Sequence, residues 1–151
     1  MEHDRLNPQK LAPDLYKAVV GVEREVRRNV DAHLLHLVKL RASMVNGCAF
    51  CIDMHSTEGL ADGATPAKLF ALAAWREAPF FSDAEQAALA MTDEVTTLGE
   101  HGVSDEVWAA ASRHFDDKTL LHLVGAIGTI NLWNRLAIAL RTTPASARRA
   151  A

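Results

Sequence analysis

The chain is poor in aromatic residues and cysteine, with one Tyr, three Trp, five Phe and two Cys among 151 residues. No segment shows the strict apolar/polar alternation of a half-buried strand, which argues against a sheet. Charge of one sign is also missing. A formal net charge of -3 and a pI near 6.1 give no electrostatic reason to expect nucleic acid or an anionic membrane as partner. Met1-Glu2-His3-Asp4-Arg5 lacks the apolar core of a signal peptide. The longest charge-free stretch, Thr119 to Asn134, is sixteen residues long and includes His122 and Asn131, whereas a span needs about twenty apolar ones. A cytoplasmic protein is expected. There is no GxGxxG after a strand, so no flavin or nicotinamide site is expected.

What is present is material for helices. Hydrophobic content of 49% and charged content of 23% suit one globular domain over 1–151, with a core at about 34–144 and flexible ends at 1–10 and 145–151. About seven helices are expected. Pro13 opens the first, to about Asn29, and Asp31 caps the second, which Asn46-Gly47 stops. The third carries the cysteines to about Asp62. Thr65-Pro66 starts a fourth, to about Arg76, and Ser82-Asp83-Ala84-Glu85 is a capping box for a fifth, to about Leu98. The sixth runs from Ser104 to about His114 and the seventh from Asp117 to Arg141. This seventh helix is apolar nearly all round from Leu120 to Ile130, so part of it, with Trp133, is expected in a subunit interface.

Both cysteines stand three apart, in Cys48-Ala49-Phe50-Cys51-Ile52-Asp53-Met54-His55. At about 100° per residue, Cys48, Cys51 and His55 share one helix face. Two thiols and an imidazole on one stripe suit a dithiol/disulfide couple, and in a reducing compartment such spacing is catalytic or metal-binding more often than structural. As a zinc half-site the pair lacks a second CxxC, and with His55 it is too nearly collinear for a closed tetrahedron. Two inert, packed cysteines are the bland alternative. Behind Asn46-Gly47, Cys48 would occupy the first turn, where the helix dipole favours a thiolate. Met44 reads as core filler.

The run Leu37-Val38-Lys39-Leu40-Arg41-Ala42-Ser43-Met44-Val45-Asn46-Gly47-Cys48, continued through Cys51 and His55, resembles the core of the AhpD-like alkylhydroperoxidase family, within the carboxymuconolactone decarboxylase superfamily. The segments Leu69 to Glu77, Pro79-Phe80-Phe81 and Ile130 to Arg135 extend the resemblance. It implies an all-α bundle that forms trimers or hexamers and a thiol peroxidase that takes a hydroperoxide. Cys51 would then be peroxidatic and Cys48 resolving, with His55 in a proton relay. The dipole argument alone favours Cys48 as the more acidic thiol. Twelve residues before Cys48, where the family pattern has a relay glutamate, this chain has His36, which can shuttle protons or merely pack. No metal or organic cofactor is implied; an external thiol/disulfide protein would restore the dithiol. A redox sensor without turnover is the alternative. A lactone decarboxylase, which has no evident need of two thiols, ranks below both.

Overall fold

The computed structural model describes residues 4–149, the side chain of Arg149 excepted. The helices are α1 Pro8–Leu11, α2 Pro13–Asn29, α3 Ala32–Asn46, α4 Ala49–Ala61, α5 Pro66–Ala71, α6 Asp83–Thr96, α7 Asp105–Ser112, α8 Asp117–Leu140 and α9 Ala145–Arg149. Among the described residues there is no strand, only an isolated bridge between Gly99 and Gly102. The expected all-α fold is the one found.

Side-chain caps start most of these helices. Asp31 accepts the backbone N–H of Leu34 at 3.0 Å, and Thr65, Ser104 and Asp116 cap α5, α7 and α8 in the same way. Ser82 and Glu85 close both halves of a capping box. Gly47, at φ 68°, ends α3 in the left-handed region that glycine reaches without strain. The fourth expected helix divides into α5 and a 3₁₀ turn at Leu72–Ala74.

α3 lies in the middle, against α4, α6 and α8, and α2 covers α8. One apolar cluster joins Val26, Val38, Met91, Leu123 and Ile127. A second joins Leu40, Leu72, Trp75, Phe81 and Leu89. A third, smaller one holds Ala42, Ile130 and both cysteines. α8 is apolar and long enough to pass a compositional test for a membrane span, yet Leu120, Leu123, Ala126, Ile127 and Ile130 are buried inside the bundle. It is a core helix.

One expectation changes: Cys48 is the N-cap of α4 rather than part of its first turn. Trp133 meets Tyr16 edge-on at 5.4 Å within the chain. The two end segments meet each other: Arg5 N–H donates to Leu140 O at 2.8 Å, Thr143 N–H to Asp4 at 2.9 Å, and Arg148 pairs with Asp4. Residues 1–3 and 150–151 lie outside the described part.

Candidate active site

The left-handed turn at Gly47 swings the chain from α3 into α4 and sets both cysteines under the bundle. Cys48 has extended φ/ψ of -89° and 95° and donates its own N–H to Ser43 O at 2.9 Å. Cys51 follows in the first turn of α4. Both are free thiols and each is 1% exposed.

Their environments drive the two acidities apart. The Cys48 thiol is pulled down to about 6, first by a hydrogen bond from the Cys51 thiol. The backbone N–H groups of Cys51 and Phe50 and the amide of Asn134 add to this, against the opposing effect of burial. Cys51 is pushed up, because its proton is held by Cys48, because it is buried, and because a charge on Cys48 opposes a second. Asn134 is completely buried and fixed from two sides: it donates to Ser43 Oγ at 3.0 Å and accepts from Asn46 at 2.9 Å. Cys48 is thus the more acidic thiol, the one the dipole reasoning favours, but chiefly through the Cys51 hydrogen bond rather than through the helix terminus.

One turn beyond Cys51, His55 is buried. Its Nδ1 is 3.0 Å from Glu58 Oε2, while its Nε2 is buried with no hydrogen-bond partner. Burial lowers the His55 pKa, and Glu58 partly offsets that. Glu58 itself is held down at about 2, chiefly by the His55 hydrogen bond. α3 packs across the Gly47 break so that His36 reaches this cluster: its Nδ1 is 3.8 Å from Glu58 Oε2 and its Nε2 is 2.5 Å from Asp62. Arg27 stands 3.6 Å from Glu58, and the buried Lys39 is paired with Glu23.

All four residues singled out in the sequence thus fall in one region, but His36 meets Glu58 and Asp62 rather than a thiol. Glu58 escaped the sequence reading. Its signal was available, since it sits three residues after His55 on the same helix face. His36, His55 and Glu58 offer donor atoms within 4.8 Å of one another, a metal-sized group different from the cysteine-based set weighed on sequence grounds.

A cavity of about 410 Å³ opens beside Cys51 and His55. Tyr16, Phe50, Met54 and Trp133 make its wall apolar, and Leu6 and Arg148 stand at its edge. Cys48 does not line it. It borders a separate depression formed with Gly47, Ile138 and Thr142. The arrangement provides one thiol beside a base in an apolar cavity, with a second, acidic thiol behind it.

Comparison with known proteins matches residues 13–94 to the carboxymuconolactone decarboxylase family. YdfG of Bacillus subtilis is 34% identical over 143 residues, covering 94% of this chain and 97% of its own. A crystal structure from Agrobacterium tumefaciens, described as a candidate antioxidant defence protein AhpD, is 38% identical with a TM-score of 0.90 and covers 93% of this chain and 97% of its own. A peroxidase-related protein with an AhpD core from Ralstonia eutropha superposes with a TM-score of 0.79 at 18% identity, over 90% of this chain and 73% of its own. That last likeness speaks to the fold alone.

Proposed function

This chain belongs to the carboxymuconolactone decarboxylase family and is AhpD-like, and from that premise we propose that it is a thiol peroxidase acting through Cys51 and Cys48. The observation that carries the reading is the shared cavity: Cys51 and His55 line the same apolar space, and Cys48, the more acidic thiol, stands behind Cys51. The Agrobacterium tumefaciens relative, described as a candidate AhpD, supports an oxidoreductase.

The unequal acidities fit two different tasks. Near neutral pH the pair carries one negative charge, on Cys48. Cys51 then needs a base at the moment it attacks, because two adjacent thiolates are unfavourable. As Cys51 Sγ attacks the terminal oxygen of a hydroperoxide, its proton passes to His55 Nε2. The O–O bond breaks and the leaving alkoxide takes the proton back, giving an alcohol and a Cys51 sulfenic acid. Cys48 thiolate attacks Cys51 Sγ, the S–O bond breaks, and the departing hydroxide takes one proton from solvent to leave as water. The sum is dithiol monoanion, hydroperoxide and one proton giving disulfide, alcohol and water.

The apolar wall formed by Tyr16, Phe50, Met54 and Trp133 suits an organic hydroperoxide with an apolar body. An external dithiol protein, by thiol–disulfide exchange in a reducing cytoplasm, would return the couple to its starting state. A homo-oligomer, trimer or hexamer, fits Leu121, Leu132 and Ile138, which α8 exposes.

Trapping separates the roles of the thiols. Cys48→Ser treated with one equivalent of cumene hydroperoxide should hold a dimedone-reactive sulfenic acid on Cys51, whereas Cys51→Ser should hold none. A trapped sulfenic acid on Cys48 in Cys51→Ser, at the wild-type rate, would reverse the assignment. Disulfide formation without turnover under a recycling dithiol would instead make the protein a sensor.

A further inference from the structure

The family pattern places the relay carboxylate on the helix before the cysteines, at the position this chain gives to His36. The charge has not left the site. Glu58, on α4 with Cys51, puts a carboxylate oxygen 3.0 Å from His55 Nδ1. On a histidine with one nitrogen so held, the proton sits on that nitrogen, because an ionised carboxylate only accepts. The other nitrogen then keeps its lone pair. In this molecule that other nitrogen is Nε2, buried without any partner, on a side chain lining the Cys51 cavity.

We propose that Glu58 is the positioning residue of the site: it fixes His55 with the proton on Nδ1 and Nε2 open as the acceptor for the Cys51 proton. The proposal rests on the peroxidase reading for its consequence, though not for the geometry it asserts. Only a proton moves in the assisted step, from Cys51 Sγ to His55 Nε2. The resulting imidazolium stays paired with Glu58 until the alkoxide removes the proton.

The groups around this pair fit the assignment. His36, from α3, faces the same Glu58 oxygen through Nδ1 at 3.8 Å and is anchored at Nε2 by Asp62. His36 thus lies between Asp62, which is half-exposed, and Glu58, where protons can enter from solvent. Arg27 and the Lys39–Glu23 pair complete the surroundings. Arg27, 3.6 Å away, helps His55 to keep Glu58 ionised.

The test reads the imidazole directly. Nitrogen-15 NMR of uniformly labelled wild-type protein at neutral pH should show His55 protonated at Nδ1 and bare at Nε2. Glu58→Ala should lose that preference, and peroxide reduction should slow by about 10²-fold or more. Glu58→Gln, which keeps a carbonyl acceptor but no charge, should fall between wild type and Glu58→Ala in rate. A proton on Nε2 in the wild type overturns the proposal without recourse to any variant, so misfolding of Glu58→Ala cannot protect it. So does one equivalent of Zn²⁺ bound with a shift of the His55 nitrogen signals, which would make Glu58 and His55 ligands. Wild-type protein with the stated tautomer that reduces no peroxide supports the positioning by Glu58 and removes the peroxidase reading instead.

Discussion

Two clusters of charge flank α3, one built round Asp93 and one round Glu58. Asp93 on α6 takes Arg41 in a fork at 2.6 and 3.2 Å, the Trp75 indole at 3.2 Å and Arg76 at 2.8 Å. The remaining Arg41 donor reaches the carbonyls of Leu72 and Ala73. Donors and acceptors match, and the effect is to tie the 3₁₀ turn and α6 to α3. The Glu58 cluster has more charges, but His55 Nε2 has no partner in it. Burying an unpaired polar atom costs about 1–3 kcal/mol. The Asp93 cluster has the pairing of a brace, whereas the lone pair left open beside Cys51 is what the proposed working site requires.

Breaking each cluster should therefore give opposite results. The largest effect is expected from His55→Ala, a loss of about 10²–10⁴-fold in peroxide reduction with the fold intact; stopped-flow kinetics alongside thermal melting checks both halves. Next is Asp93→Ala, which leaves the partly buried Arg41 without its carboxylate and should cost about 3 kcal/mol by urea denaturation. Its folded fraction should reduce peroxide at the wild-type rate, and a selective loss of activity would erase the contrast. His36→Ala should slow peroxide reduction by about 10²-fold, less than His55→Ala, and if position 36 is a true relay site His36→Glu should retain or improve activity. If His36→Ala matches wild type, that histidine only packs.

The smallest expected effect is in thiol titration. Cys48 should ionise with a midpoint near 6, read from ultraviolet thiolate absorbance of the reduced protein. Its folded pKa lies below the ordinary value of 9.0, so its contribution to stability is complete above pH 9. That contribution is lost as pH falls through about 6, and the urea midpoint of reduced protein should drop across the same window.

Local chemistry made much of this legible in the sequence. Pro13, Asp31, Thr65, Ser82 and Gly47 each act on their nearest helical turn, and each helix end they mark is found where expected. The seventh expected helix, α8, also ends where expected, just before Thr143-Pro144, although its left-handed cap is Arg141 rather than a glycine. The Cys48–Cys51–His55 stripe was visible because one helix carries it. Glu23 with Lys39, His36 with Asp62 and Asp93 with Arg41 were hidden, because each pair joins different segments and exists only once α3 is surrounded. The clasp of Asp4 on Thr143 and Arg148 is the extreme case: nothing in either terminus alone anticipates it.

Cys48 as the cap of α4 has a consequence for energetics as well as for rate. A Cys48 thiolate held first by the Cys51 thiol, and also by the N–H groups of Cys51 and Phe50 and by Asn134, exists only in the reduced protein, since a disulfide sulfur carries no charge. At pH 7, one unit above a pKa of about 6, that ionisation favours the dithiol by about 1.4 kcal/mol. For a two-electron couple this makes the reduction potential about 30 mV more positive than that of a similar pair of ordinary thiols. If the pair cycles through a disulfide as proposed, the oxidised protein would be correspondingly easier to reduce, and a weakly reducing partner would suffice to return it to the dithiol.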